Sequence, residues 1–414
     1  MVHQTTDDAN LSAWLGEKPR TLYAGFDPTA DSLHVGHLVA LMILRRFQKA
    51  GHRPIAIVGG ATGMIGDPSG RSSERNLLTK EQLAANVDAM RTQMKRFLDF
   101  DGPAGALLLN NLDWIGPFTF LDFLRDVGKN FSVNMMLAKD SVKARLGSEA
   151  GLSYTEFSYM LLQAYDFVKL NELHDCELQV GGSDQWGNIT AGIDLARRMR
   201  GVQLYGMTCP LLMNAQGQKM GKSAEGTTIW LSAAKTSPYQ FYQYWINVAD
   251  ADVAKCLALF TDLSHAELDA LDASRAADAA KRESQKRLAD ELTKLVHGEA
   301  GLAEAKQATQ QLFETPVDQL TGELLEQALA GMPSRELPRA RLDPPGLGII
   351  DAIVAAGLAT SNSEARRSIQ QGGAYVNDKR IDDMKAMLTA EQLIGGAAMI
   401  VAVGKKKKAV LRFV

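Results

Sequence analysis

The sequence predicts an α/β fold: a Rossmann-like parallel-sheet domain, then an α-helical domain, then a small α+β module. Three observations carry this. Short apolar runs alternate with helical stretches through the first half of the chain, the pattern of a parallel sheet with crossover helices. From about Ser237 the strand signals stop, and amphipathic helical patterns rich in Ala, Leu, Glu and Lys take over. A proline-rich stretch then separates off a terminal segment with helix and hairpin signals of its own.

Taken in order, the strand-like runs are Leu22–Phe26, Ile55–Gly60, Ala106–Asn110 and Leu178–Gly182. A helix is predicted from Leu38 to Phe47. Another runs from Gln82 to Phe97, where Leu83, Val87, Met90, Met94 and Phe97 recur at helical spacing. In such a sheet ligands bind at the carboxyl ends of the strands. Leu257 to Leu329 reads as a succession of amphipathic helices. Residues 331–346 hold four of the chain's 13 prolines and read as a linker. Beyond it, Ile349–Ala356 and Asn362–Gln371 read as two short helices. Ala374–Ile381 reads as a hairpin turning at Asn377-Asp378, and Met399–Phe413 as a second with lysines at its tip. The expected divisions are therefore 1–228, 229–330, the linker 331–346, and 347–414.

Composition is that of an ordinary globular chain: 414 residues, 46% hydrophobic and 22% charged. The polar first ten residues contain no secretory signal, and no apolar run reaches the roughly 20 residues a membrane helix needs. Three cysteines far apart, with no C-x-x-C pair, argue against structural zinc and for a reducing cytoplasm. The net charge of −3 is uneven, because residues 346–414 hold ten Lys/Arg against six Asp/Glu. A basic end on an acidic body points to an anionic partner. Arg366, Arg367, Lys379, Arg380, Lys405, Lys406, Lys407 and Lys408 are the candidates for one basic face against a phosphate backbone.

Two motifs point to a nucleotide. His34-Val-Gly-His37 follows the first strand, after Asp27-Pro28-Thr29 in the turn, and opens a helix. Each imidazole can donate to a phosphate oxygen, and a helix N-terminus offers free N–H groups and a favourable dipole. Gly36 leaves no side chain between the backbone and a flat ligand such as adenine. Lys219-Met220-Gly221-Lys222-Ser223, two lysines around a glycine, makes a flexible cationic clamp for a polyphosphate. It lacks the leading glycine pattern of a Walker A loop, so the usual ATPase reading falls away. A third signal is a polar stripe on an apolar helix: Tyr159, Gln163 and Asp166 fall on one face, and must meet something polar inside.

HxGH after the first strand with a KMxKS-like loop late in the α/β region resembles the class I aminoacyl-tRNA synthetases. The usual loop carries Ser where this chain has Gly221; both lysines and the final hydroxyl remain. The stretches Tyr23–His34, Gly59–Gly70, Ser153–Asp166 and Gln179–Asn188 resemble the bacterial tyrosyl-tRNA synthetases in particular, and the basic terminal module resembles their S4-type RNA-binding domain. The resemblance spans nearly the whole chain, from about Leu22 onward.

It implies an activity, the ligation of L-tyrosine to tRNA(Tyr) with ATP and magnesium as the co-substrate complex, and no protein-bound structural metal. It implies that Tyr23 and Asp166 bond the phenolic hydroxyl of tyrosine, and that Asp67, Tyr159 and Gln163 hold its ammonium group. Gly182, Asp184 and Gln185 are implied along the ribose and the tyrosyl moiety. His34, His37 and Thr29, with Asp27 beside them, are implied at the phosphates, under a loop of Lys219, Met220, Lys222 and Ser223. A homodimer is implied, with the segment around Trp114 to Met136 at its interface. Tryptophanyl-tRNA synthetases share the fold and motifs, but a carboxylate paired with Tyr23 favours a phenol over an indole. Small HxGH nucleotidyltransferases need no RNA-binding appendage.

Overall fold

The computed structural model describes residues 2–69, 78–147, 151–223, 226–320, 322–329, 332–404 and 407–414. They form two compact units: Met1–Gly221 with Ile229–Thr236 and Asn247–Val296, and Lys222–Thr228 with Ser237–Ile246 and His297–Val414.

The first unit is built on a six-stranded sheet: β1 (Gln4–Thr5), β2 (Thr21–Phe26), β3 (Arg53–Val58), β4 (Leu107–Asn110), β5 (Cys176–Gly182) and β6 (Tyr205–Cys209), in the order β1-β6-β5-β2-β3-β4. All neighbours are parallel except β1, an antiparallel edge on β6. The chain winds outward from β2 through β3 to β4, then returns to the other side of β2 for β5. The strand order reverses between β2 and β5, and the crevice above their carboxyl ends is where such a sheet binds its ligand. Both strands are buried on both faces, which is why they read as continuous apolar runs rather than alternating ones.

The Leu38–Lys49 helix lays Leu38, Leu41, Met42 and Leu44 into the core. The Tyr154–His174 helix starts at Ser153, whose hydroxyl accepts from the Glu156 N–H, and ends at Asp175 in the left-handed region at φ 50°. It packs closely on the Trp186–Arg200 helix, where a Cβ at Gly192 would lie 3.2 Å from the Phe167 side chain.

Some helices expected in a separate domain belong to this unit. Arg45 and Lys49 form ion pairs with Asp262, and the Arg46 guanidinium donates to the Ala258 carbonyl at 2.6 Å. These bonds and the burial of Val253, Leu257 and Phe260 join the Asp250–Phe260 helix to the Leu38–Lys49 helix. What reads as one helix from Glu283 to Glu314 is two, because Gly298 leaves the helical region at φ 78°, ψ −179°.

The second unit contains a five-stranded sheet and a two-stranded one. Its strands are β7 (Ser334–Leu337), β8 (Leu347–Gly348), β9 (Ala374–Val376), β10 (Lys379–Arg380), β11 (Met387–Leu388), β12 (Ala398–Val403) and β13 (Lys407–Phe413). The larger sheet runs β10-β9-β12-β13-β7, and β8 pairs with β11. Side chains alternate across it. Met399, Val401, Leu411 and Phe413 face the helices Ile349–Ala355 and Asn362–Gln370; Ala398, Ile400 and Val410 face Val317, Leu320, Leu325 and Leu329. The predicted first hairpin turns at Asn377 and Asp378, both at positive φ (50° and 61°), the geometry of a two-residue turn matched to strand twist.

Two sequence expectations fail here. Residues 331–346 are not a plain linker. Ser334–Leu337 adds a parallel edge strand to β13, and Leu342 is buried in the module's core. Nor do the last helices of 229–330 stand apart from the terminal module, since they cover one face of this sheet. Prolines marked the turns correctly; the register that recruits β7 is a long-range pairing that no local signal reports.

Candidate active site

At the β2/β5 switch point lies a cavity of about 340 Å³. It is lined by Tyr23, Asp27, Thr29, His34, His37, Asp67, Tyr159, Gln163, Asp166, Gly182, Asp184, Gln185 and Lys219, residues separated by almost 200 positions in the chain. The sheet brings them together by ending β2 and β5 side by side.

The two histidines are organised by backbone. His34 Nδ1 accepts from the Gly36 N–H at 3.0 Å, and His37 Nδ1 accepts from the His34 N–H at 3.1 Å. The rings stack at 3.9 Å. In each neutral ring the proton therefore sits on Nε2. A Cβ at Gly36 would lie 2.8 Å from His34 Cε1, so glycine is needed there for the ring to fold back. The expectation of free helix-start N–H groups is corrected. Those of Gly36 and His34 go to the imidazoles, that of His37 to the His34 carbonyl, and that of Val35 to Ile229. Hydrogen bonding to a phosphate would fall to the Nε2–H donors.

At the inner end of the cavity is a buried carboxylate. Asp166 Oδ2 accepts from Asn111 Nδ2 at 3.0 Å and Oδ1 from Trp114 Nε1 at 2.8 Å. Burial pushes its carboxyl up to about 7, against the two hydrogen bonds that pull it down. Tyr23 is 1% exposed, and its hydroxyl has no hydrogen-bond partner among the described residues. Burial first, and the nearby Asp166 charge second, hold its pKa well above the usual tyrosine value. An unpaired hydroxyl near a carboxylate at a cavity floor is a place for a ligand that both accepts and donates.

A second network runs from Asp166 toward the cavity's outer part. Asn111 donates to Thr62 Oγ1 at 3.1 Å, Thr62 to Asp27 at 2.7 Å, and the Tyr159 hydroxyl to Asp27 at 2.9 Å. Asp67 accepts from Gln185 Nε2 at 2.7 Å, Gln185 Oε1 accepts from Gln163 at 3.2 Å, and Asn188 donates to Gln163 at 2.9 Å. Asp27, Asp67, Asp166 and Asp184 thus line one cavity and make it a cation-favouring slot over much of its length. Burial and the Asp67 charge raise the pKa of Asp184, while Lys219 lowers it. Gly59 permits this packing: a Cβ there would overlap Thr62 Oγ1 and Asp27 Oδ1.

The lysine motif is divided. Lys219 lines the cavity, and the Met220 N–H bonds the Leu212 carbonyl at 2.9 Å. Lys222 and Ser223 fall in the other compact unit, where Lys222 bridges to Thr228 and the Ser223 N–H donates to Thr227 at 2.7 Å. Gly221 sits at φ 104°, which glycine alone adopts without strain. That gives a backbone reason for its replacing the usual serine.

On the terminal module Arg366 and Arg367 are exposed on the Asn362–Gln370 helix, as are Lys379 and Lys407 nearby in sequence to its hairpins. Arg380 pairs with Asp382 at 2.7 Å and Lys408 with Asp378 at 2.8 Å, so part of the counted positive charge is offset. Lys407 and Lys408 lie in β13 rather than at a tip. Lys405 and Lys406 lie outside the described residues. Among the described residues no group of three or more His, Cys, Asp or Glu could hold a metal ion.

Sequence reading had no role for Thr62 or Gln179, and none for Asn111 and Trp114 as Asp166's partners. An Asn-x-x-Trp spacing after β4 was the one visible sign.

Comparison with known proteins places this geometry. Residues 16–314 match the family of tRNA synthetases class I (W and Y), and residues 325–411 match the tyrosine–tRNA ligase SYY-like C-terminal domain. The chain is 55% identical over 412 residues to the tyrosine–tRNA ligase of Rhodopirellula baltica, covering 100% of this chain and 94% of that one. It is 50% identical over 415 residues to that of Geobacillus stearothermophilus, covering 100% and 97%. Among solved structures, a C-terminally truncated mitochondrial tyrosyl-tRNA synthetase of Aspergillus nidulans superposes with TM-score 0.68 at 30% identity, covering 76% of this chain and 91% of that one. With matching sequence over its full length, the chain belongs to the class I tRNA synthetases of the tryptophan and tyrosine branch, within the bacterial tyrosine–tRNA ligase family.

Proposed function

We propose that the chain activates L-tyrosine with ATP in the β2/β5 cavity and transfers the tyrosyl group to the 3′-terminal adenosine of tRNA(Tyr). The observation that carries the substrate choice is Asp166, buried on Asn111 and Trp114, with the unpartnered hydroxyl of Tyr23 in the same cavity. A phenol donates to Asp166 and accepts from Tyr23. Phenylalanine leaves both without a partner, and an indole offers a donor but no acceptor. Asp67, Tyr159 and Gln163 hold the ammonium group; Gly182, Asp184 and Gln185 lie along the ribose and tyrosyl moiety.

The tyrosine carboxylate is itself the nucleophile, so the first step needs no general base. Its oxygen bonds to the α-phosphorus as the bond to pyrophosphate breaks, and the electron pair leaves with pyrophosphate. Catalysis is positioning and charge stabilisation. His34 and His37, through Nε2–H, with Thr29 beside Asp27, stabilise the charge on phosphorus. Lys219 and Lys222 close over the pyrophosphate, with Gly36, Met220 and Ser223 shaping the ATP site. Magnesium enters with ATP as part of the co-substrate and neutralises phosphate charge. The 2′-hydroxyl of the terminal adenosine then attacks the mixed anhydride and releases AMP.

Other parts of the reading rest on surfaces. Phe120, Leu121 and Val133 are 65%, 75% and 60% exposed, an apolar set on the Trp114–Met136 segment that a second copy would cover in a homodimer. Arg366, Arg367, Lys379 and Lys407 contact the tRNA backbone. The three cysteines are unpaired thiols, which fits the cytoplasm, and no described helix is long and apolar enough to cross a membrane. Functionally, the activating part extends to about residue 314 and the RNA-binding part follows it. ATP–pyrophosphate exchange with tyrosine, tryptophan and phenylalanine tests the whole reading: tyrosine alone should support exchange, and equal support by tryptophan would overturn it.

A further inference from the structure

We propose that Trp230 is a positioning residue for His34, an indole wall that holds the imidazole at the angle from which its Nε2–H meets the reacting phosphate. The proposal rests on the reading of His34 as a phosphate-stabilising residue.

Backbone pairing sets the two side chains together. The Val35 N–H donates to the Ile229 carbonyl at 3.0 Å, and the Leu231 N–H to the Leu33 carbonyl at 2.8 Å. Between these bonds His34 and Trp230 oppose each other as an antiparallel pair. In such a pair the side chains stand on one face at their closest approach. The rings meet edge to face, with centroids 5.9 Å apart at 64°. His37 stacks on the same imidazole at 3.9 Å, and the Gly36 N–H donates to its Nδ1 at 3.0 Å. The direction of Nε2 is therefore set by what packs against the ring, and Trp230 supplies part of that packing.

Trp230 is itself held. Its backbone N–H donates to Thr236 Oγ1 at 3.0 Å. The Lys235 ammonium stands 5.0 Å from the centre of the indole and pairs with Asp31 at 2.6 Å, three residues before His34. The Ser232 N–H donates to Ser32 Oγ at 3.1 Å. Segment 229–236 is thus stitched to segment 31–35 by backbone, hydroxyl and charge. Trp230 is half-buried and does not line the cavity, so its effect on a ligand passes through the imidazole.

Trp230→Leu keeps an apolar side chain and removes the ring. Adenylate formation by the full chain is followed in single turnover by rapid quench, at saturating tyrosine and ATP. W230L should be about 10-fold slower than wild type, with tyrosine affinity within about twofold. Trp230→Phe, which restores a ring, should stay within about threefold of wild type. His34→Ala should be about 100-fold slower. Adding W230L to it should cost less than about twofold more, because the residue Trp230 acts through is gone. The same 10-fold cost in both backgrounds would mean that Trp230 acts elsewhere, as through the 2.9 Å bond from the Ile229 N–H to Gly221, and overturn the proposal. A W230F as slow as W230L overturns it too. If W230L fails to fold, Lys235→Met, which removes the cation over the indole, is read the same way. A rate about threefold lower in the wild-type background and unchanged in H34A supports the proposal, and equal effects in both overturn it. An H34A as fast as wild type would sink the phosphate reading of His34, and this proposal with it. A slow H34A with an additive W230L sinks this proposal alone.

Discussion

Asp166 should make tyrosine binding depend on pH, and the sign follows from its surroundings. Burial raises its carboxyl from 3.8 to about 7, although Asn111 and Trp114 both donate to it. That difference corresponds to about 4 kcal/mol against ionisation in the empty fold. A carboxyl raised in the folded state makes the native protein bind the extra proton between those two values. Stability should therefore fall as pH rises from about 4 to about 7, and level off above. Tyrosine adds a third donor, the phenol, and so favours the ionised form. Binding should release a proton: affinity rises with pH, by up to about tenfold per pH unit, until about 7, and is flat beyond. Asp166→Asn removes the titration and turns an N–H toward one of its donors. Loss of a hydrogen bond to a charged group predicts a fall in kcat/KM for tyrosine of roughly 10- to 150-fold, with phenylalanine little changed. Tyrosine affinity by fluorescence titration from pH 5.5 to 8.5, with urea unfolding over the same range, tests both slopes against D166N. A tyrosine affinity independent of pH across that range, or a D166N profile that overlays the wild type, would refute the assignment.

Four further outcomes follow from the geometry. His37→Ala should slow adenylate formation about 100-fold in single turnover while leaving tyrosine affinity within about twofold, if the ring, which lines the cavity, serves the phosphates as proposed; parallel losses in both would count against a transition-state role. Gly221→Ser restores the usual motif, yet should lower kcat several-fold, because φ 104° strains any residue but glycine; an equally active variant contradicts that account. Deleting residues from Thr315 onward removes the terminal sheet with the helices that cover it, and should spare ATP–pyrophosphate exchange while reducing tRNA charging at least 10-fold. A cut at Gly346 would instead strand β7 and Val317–Leu329 without their partners, giving a less soluble product. Leu121→Asp should shift the chain to monomer in sedimentation velocity with its melting curve retained; an unchanged assembly state places the interface elsewhere.

Much of this was readable before folding, and the reasons are local. The strands of the first sheet are buried on both faces, so their apolar runs stand out at β2, β3, β4 and β5 within two or three residues of their observed ends. Tyr159, Gln163 and Asp166 share a helical face because spacing alone sets that, and the Asn377-Asp378 turn is written in residues that tolerate positive φ. Both nucleotide motifs were visible as short contiguous strings.

What could not be read was everything that depends on two distant segments meeting. Asn111 and Trp114 hold Asp166 from β4's end, some 50 positions away, and nothing near Asp166 announces them. Only the register of β2 and β5 sets Gln179 opposite Tyr23. The histidine motif suggested free helix-start N–H groups, whereas the rings themselves take two of them. Ser334–Leu337 looked like linker until β13 accepted it as a neighbour. The sequence by itself determined which elements form and which residue types are available to the site, since helical and strand periods and turn conformations are short-range properties of the chain. Tertiary structure alone decided which donors meet which acceptors, because buried hydrogen bonds act over about 3 Å and are settled by packing between segments that the chain order keeps apart.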